Sequence, residues 1–455
     1  MEEVLHSRRN TATQVGPSWM PTFCFHWLPL RRIGMRARSM TRADAAVVFL
    51  AALVAGCSTT LEGIASLPVS SSESTQRTAS TPGRPAIRTT HGRPAVRYET
   101  LHSFGSGSDG AEPVAGLIDV NGTLYGTTDF GGAHNAGTVY DISKSGGETV
   151  LHSFRGRHEG DGAYPQAGLR LVNGKLYGTT WLGGDYNHGT VYSIGAFGAE
   201  TVVHSFDPGS GDGSNPVASL RDVNGTIYGT TLNGGNTGGG NSGGTVYSIT
   251  PTGTESVLYT FGGGYDGTNP EAGLRDVSGT LYGTTSLGGD FGDGTVYSIT
   301  TSGTETVLHS FGLHSDGAWP WAGLRDMNGR LYGTTLYGGV YGAGTVYSIT
   351  ASGKETVVHS FGSGYGSGSD GANPQASLRD VNGTLYGTTS NGGAHGGGTI
   401  YSITVSGTEK VLYSFGSASD GKTPKANLLE VGGTLYGTTS LGGAHGRGTV
   451  FSFIP

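Results

Sequence analysis

The tetrapeptide Tyr-Gly-Thr-Thr begins at Tyr125, Tyr177, Tyr228, Tyr282, Tyr332, Tyr386 and Tyr436, at intervals of 50 to 54 residues. A fixed period of that length means that one supersecondary unit recurs and buries its apolar face against its neighbours. Four strand-like pieces fill each copy, as residues 273–311 show. Piece A covers 273–277, B 280–285, C 294–299 and D 305–311. The A to B turn is Asn-Gly in five copies, for instance Asn121-Gly122 and Asn382-Gly383. Asn-Gly supplies the two positive φ angles that a tight hairpin needs. The unit is therefore a four-stranded meander.

The phase of the copies predicts how they close. The array starts with a D-type strand at 98–104 and ends with a C-type strand at 448–453, giving seven A-B-C sets and seven D strands. The last set lacks its own D. If the first D strand completes it, the ring closes and both sheet edges disappear, which an open solenoid would not achieve. The expected fold is all-β, a seven-bladed β-propeller of four-stranded antiparallel blades. Glycine at 85 of 455 residues fits so turn-dense a chain.

In this topology the A to B and C to D turns share one face, and both are minimal. The B to C and D to A loops share the other face and are long. The D to A loop carries Asp-Gly-x-x-Pro in all seven copies, from Asp109 to Asp420, and the B to C loop carries a Gly-Gly pair. A ligand is expected on the long-loop face, because loops on a rigid scaffold are where binding concentrates.

Upstream of the array, residues 35–42 are basic, 45–55 are apolar, and Gly56-Cys57 follows. That is the layout of a secretory signal peptide; the apolar run is too short to span a bilayer comfortably. Leu53-Val54-Ala55-Gly56-Cys57 resembles the lipobox of bacterial lipoproteins, which implies Cys57 as the lipidated residue. Ser58 after the cysteine implies the outer membrane or cell surface. Residues 1–34 read as an over-extended N-terminus or leader, 35–57 as the signal peptide, 58–97 as a Ser/Thr/Pro-rich flexible tether, and 98–455 as the propeller.

Only Cys24 and Cys57 are present, so the array has neither disulfides nor a thiolate zinc site. Beyond Cys57 there are 20 Lys and Arg against 31 Asp and Glu, a net charge of −11. So acidic a body argues against nucleic acid as a partner.

Asp-Gly-x-x-Pro, Leu-Tyr-Gly-Thr-Thr, Gly-Gly and Gly-Thr-Val-Tyr-Ser-Ile together resemble the bacterial GloVer-type tandem repeat over residues 98–455. Members of that family combine such arrays with varied surface anchors. The resemblance implies an exported, surface-attached protein, and it carries over no catalytic residues.

The second residue after each Gly-Gly pair is His134, Tyr186, Thr237, Phe291, Tyr341, His395 or His445. Six of these seven are ring side chains, which are expected as a ring on the long-loop face, either stacking on a sugar or peptide or covering the neighbouring blade. Trp181, Trp319 and Trp321 occur in single copies on the same face and are candidates for specificity.

The D strands carry His102, His152, His204, His309 and His359, with Tyr259 and Tyr413 in the other two copies. One His per blade spreads potential metal ligands around the ring, and exchange with Tyr fits a structural hydrogen bond better. The seven loop Asp residues offer one carboxylate each, too few for calcium, and suit turn hydrogen bonds instead. No metal and no cofactor is expected.

Arg221-Asp222, Arg275-Asp276, Arg325-Asp326 and Arg379-Asp380 read as salt bridges between blades. Gly240-Asn241-Ser242-Gly243-Gly244 fits a nucleophile pattern, but in a glycine-rich loop without a following helix.

These readings converge on a non-catalytic, lipid-anchored propeller that binds a glycan or an envelope protein. The alternatives are a propeller enzyme acting on an extracellular polysaccharide, as lyase or hydrolase, and a structural or adhesive surface component.

Overall fold

The computed structural model describes residues 97–455 except 157–159, 196–197, 237–242, 263, 313–314, 364–367 and 418. Cys57, the signal peptide, residues 1–34, almost all of the tether, Thr237 and the Ser242 pattern lie outside the described residues.

Seven four-stranded antiparallel sheets follow one another along the chain. Blades 1 to 7 are numbered by their A strands: Ile118–Val120, Arg170–Val172, Arg221–Val223, Arg275–Val277, Arg325–Met327, Arg379–Val381 and Leu429–Val431. Six blades have the chain order A-B-C-D. Blade 7 takes its fourth strand from the start of the array: Arg97–Ser103 pairs antiparallel with Thr449–Ile454, setting Tyr98 opposite Phe453. The ring is closed as the phase of the repeats predicts. A strands of neighbouring blades lie against one another, so A lines the central channel and D forms the outer wall.

The repeated sequence is explained by what it touches. In all seven A to B turns both central residues have positive φ, as at Asn121 (54°) and Gly122 (91°), the geometry expected from Asn-Gly. Gly283 of the B strand lies opposite Tyr297 of the C strand. A Cβ on Gly283 would stand 2.4 Å from the Tyr297 ring, so the glycine of Tyr-Gly-Thr-Thr makes room for a fully buried aromatic. The first Thr reaches the next blade: Thr127 Oγ1 donates to the Ala167 carbonyl at 3.0 Å, and Thr438 Oγ1 closes the ring by donating to the Ala115 carbonyl at 3.0 Å. The second Thr binds the C strand, as in Thr128 to Thr138 at 2.8 Å.

Each blade interface holds one apolar cluster. Between blades 4 and 5, Val296 and Phe311 pack on Leu324, Leu331, Tyr347 and Ile349. Phe311 meets Tyr347 edge-on at 5.0 Å, a favourable aromatic arrangement. Fully burying such side chains contributes roughly 1.5–3 kcal/mol each.

Candidate functional site

Along the innermost chain segment, residues alternate between buried and channel-facing, because the period of an extended chain is two. Three tiers result. The Arg-rich tier, on the short-turn side, falls on the first residue of each A strand. Gly116, Gly168, Ser219, Gly273, Gly323, Ser377 and Asn427 form a narrow waist. At the long-loop mouth stand Val114, Gln166, Val217, Glu271, Trp321, Gln375 and Lys425, the residues that directly follow the seven loop prolines. Together with Asp129, Trp181 and Leu232 they line a cavity of about 380 Å³.

This mouth breaks the sevenfold symmetry. Its proline-following position holds five residue types in seven copies, whereas the flanking Pro and Ala never change. Comparison of the copies with one another was the signal that could have found it; among the sequence candidates only Trp181 and Trp321 belong to it.

Two carboxyl groups of the mouth have displaced pKa values. Burial raises Glu271 to about 7, and the Ser286 hydroxyl donates to it at 2.8 Å. Burial raises Asp129 to about 6, and Gln166 Nε2 of the adjacent blade lies 3.3 Å from both its oxygens. The two belong to blades 4 and 1, nearly opposite one another in a ring of seven. Trp321 of blade 5 and Trp181 of blade 2 add aromatic surface beside them.

The loops that frame the mouth are rigid. Gly162–Ala163 pairs with Leu182–Gly183, and four other blades have the same two-residue ladder. The second x of Asp-Gly-x-x-Pro is left-handed in every copy: Glu112, Tyr164, Asn215, Asn269, Trp319, Asn373 and Thr423 have φ of 56° to 60°. Asn tolerates this conformation, but a bulky residue there costs on the order of 1–3 kcal/mol. Tyr164 nevertheless packs between Phe130 at 5.3 Å and Trp181 at 6.3 Å, and Trp319 lies edge-on to Tyr337 at 5.2 Å.

The expected ring of side chains after the Gly-Gly pairs is exposed, so it is not core: Tyr186 is 54% accessible, Phe291 49% and Tyr341 58%, and His134, His395 and His445 are exposed too. These residues stand beside the loop that leaves the outer D strand; a Cβ on Gly312 would meet the Phe291 Cβ, and one on Gly105 the His445 Cβ. The structure therefore spreads them around the periphery, and none lines the mouth.

His102, His204, His309, Tyr259 and Tyr413 make the expected structural hydrogen bond to the loop Asp, whereas His152 and His359 only approach theirs at 3.4 Å. His204 Nε2 lies 2.8 Å from Asp212 Oδ2, and Tyr259 donates to Asp266 at 3.0 Å. The Asp also accepts backbone N–H groups, as from Gly213 and Asp207 to Asp212. The histidines do not stand alone, however. A Glu from the next blade joins each pair, and in His152-Asp161-Glu200, His204-Asp212-Glu255 and His309-Asp316-Glu355 the ligand atoms lie within 4.8 Å of one another. That donor set suits a divalent ion, although zinc at 2.0–2.2 Å from each ligand requires the cluster to contract. Burial raises Glu200, Glu255 and Glu355 to about 7, with Asp161, Asp212 and Asp316 respectively the next cause.

On the short-turn side, Arg325 reaches Asp380 at 3.8 Å and Arg379 reaches Glu430 at 3.7 Å, each bridging to the next blade. Asp276 and Asp380 also cap their own turns, accepting from Gly279 N and Gly383 N at 3.0 Å.

Seven blades closed by a shared last sheet, with an irregular mouth on a regular barrel of strands, define a repeat-built propeller module of the binding type. The chain belongs to the Gloeobacter/Verrucomicrobia repeat family, which matches residues 88–241 and 236–451. No curated protein matches the chain.

Proposed function

We propose that the chain is a non-catalytic, surface-attached propeller that binds a glycan across the mouth of its channel. One observation carries this reading: Trp181 and Trp321 share one cavity with the hydrogen-bonding side chains of Gln166, Glu271, Gln375 and Lys425. Aromatic faces stack on the apolar faces of sugars, and a few placed polar groups fix hydroxyls. The lipobox-like Leu53 to Cys57 supports attachment through an acylated Cys57, at the outer membrane or cell surface. A glycan array probed with the full chain tests the binding. Trp321→Ala is expected to lower affinity at least tenfold, whereas Tyr186→Ala/Phe291→Ala/Tyr341→Ala leaves it unchanged. The opposite pattern would move the site to the periphery, and an array without hits would favour an envelope protein or an adhesive role.

A second reading rests on the two carboxyl groups. A group held near neutrality is suited to donate a proton, as the acid of a polysaccharide hydrolase or lyase does. Turnover of a polysaccharide that disappears in Glu271→Gln while binding persists would establish it.

A further inference from the structure

The first residues of five successive A strands are Arg170, Arg221, Arg275, Arg325 and Arg379, in blades 2 to 6. They form an arc at one level of the channel, interrupted by Ile118 and Leu429 at the closing seam. Arg325 and Arg379 have the ion pairs described above. Among the described residues, the side chains of Arg170, Arg221 and Arg275 have no ion pair within 4.0 Å and no hydrogen bond. In all five, Nε is buried and without a partner.

The three unpaired arginines are on adjacent blades and line one cavity of about 240 Å³, below the glycine waist. Among the described residues, no carboxylate lines it. Asp222 and Asp276 are near, but each gives Oδ1 to its own turn, accepting from Gly225 N at 2.9 Å and Gly279 N at 3.0 Å. Burial lowers the pKa of Arg221, and repulsion from Arg170 and Arg275 is the next cause, ahead of attraction by Asp276 and Asp222. Three partly desolvated guanidinium groups that repel one another and lack acceptors are costly to assemble.

We propose that this end of the channel is a binding site for a doubly charged tetrahedral oxyanion, phosphate or sulfate, held by Arg170, Arg221 and Arg275. The planar guanidinium fork matches such oxygens in pairs, and the charge of the anion cancels the mutual repulsion. The anion comes in from the short-turn face, because the waist is tight: a Cβ on Gly116 would stand 2.3 Å from Asn427 Oδ1. This site is independent of the glycan mouth, using other residues on the other face. Its oxyanion is either a free inorganic ion or the terminal ester of a larger molecule.

Calorimetric titration of the full chain with inorganic phosphate, sulfate and glucose 6-phosphate, at ionic strength fixed with chloride, tests the assignment. One oxyanion per chain is expected. Binding of phosphate or sulfate indicates a free ion, and binding of the ester alone indicates a larger ligand; either supports the site. Arg221→Gln should weaken binding roughly tenfold or more, since hydrogen bonds to charged groups are the strong ones, and Arg221→Gln/Arg275→Gln should abolish it. Thermal unfolding without the anion separates this from a structural role. Loss of a repelling charge should leave Tm unchanged or higher. Failure of all three ligands, unaltered binding by the double variant, or a fall in Tm without any anion effect would each overturn the proposal.

Discussion

Tyr98, in the first strand of the array, stacks on Tyr413 of blade 6 with ring centroids 4.2 Å apart and planes 8° from parallel. At the other interfaces the equivalent place belongs to a Glu such as Glu148 or Glu305, beside a His or Tyr and an Asp. The closing seam thus replaces a polar brace with an aromatic pair, and Tyr98 packs also on Phe415 and Phe451. A join between the two ends of the array has no covalent continuity, and apolar burial holds it without regard to charge state.

Tyr98→Ala should therefore lower the free energy of unfolding by about 2 kcal/mol or more, through lost burial and a cavity. Removal of residues 97–103 should have a larger effect, leaving the edge of Thr449–Ile454 unpaired and open to strand addition. Urea denaturation and sedimentation measure the two. A truncated chain that stays monomeric with unchanged stability would show that the first strand does not close the ring.

Gly283 and Tyr297 give a paired prediction. Gly283→Ala should destabilise by roughly 1–3 kcal/mol, because the added Cβ overpacks a filled site. Tyr297→Phe should leave stability unchanged or raise it. Burial holds this phenol neutral, far above its ordinary range, and its oxygen has no hydrogen-bond partner, so removing it removes a desolvation cost. Blade 7 already has Phe451 at this position. A loss on Tyr297→Phe of more than about 1 kcal/mol, the net worth of an ordinary hydrogen bond, would mean that the hydroxyl is satisfied in solution.

Most of this fold was legible in the sequence, and for one physical reason. A module repeated seven times states its turns, its hydrophobic face and its strand order seven times over. Even the displaced strand at Tyr98 could be read as closure. The mouth was legible only in part, since Val114, Gln166, Glu271, Gln375 and Lys425 follow a proline in a loop and have no pattern of their own. Their meaning comes from radius: the A strand is innermost, and sequence does not state which strand lines the axis. The same ignorance of radius hid how far out on the long-loop face the B to C loops hold the exposed Tyr186, Phe291 and Tyr341. Pairing across blades was also hidden. Glu200 lies 48 positions beyond His152, and only the ring brings them together.

The six interface glutamates make stability fall as pH rises. Burial holds Glu148, Glu200, Glu255, Glu305, Glu355 and Glu409 at about 7, above the ordinary 4.5 of an unfolded chain. A raised pKa means the folded state binds more protons, so this contribution is complete below about 4.5 and is lost through about 7. Melting curves should show Tm decreasing between pH 5 and pH 8, with Glu305→Gln reducing the slope. At still lower pH other carboxylates oppose the trend. Asp161 is one: burial raises it, but His152 at 3.4 Å and hydrogen bonds from Arg155 N and Gly162 N leave it below its usual range. A Tm that rises from pH 5 to pH 8 would mean the glutamates are ionised and compensated, as a bound divalent ion would compensate them.

Trp319 gives the sharpest test of whether the long-loop face is kept for binding. It has φ of 58°, a conformation costly for so large a residue. Three other copies place Asn there, and each Asn donates to a carbonyl of the preceding blade: Asn215 to Trp181 at 3.1 Å, Asn269 to Leu232 at 3.3 Å and Asn373 to Leu336 at 3.0 Å. By the same repeat geometry Trp319→Asn should relieve the backbone and gain a bond to the Ser286 carbonyl. The expected result is a rise in stability of about 1 kcal/mol, consistent with what such strain costs. Trp319 is partly exposed on the long-loop face, where its surface is open to a ligand. It lies outside the mouth cavity, so Trp319→Asn should weaken capture only of a ligand long enough to reach past the mouth over the long-loop face, even as Tm increases. A variant that is both less stable and equally good at binding would assign Trp319 to packing against Tyr337 and nothing more.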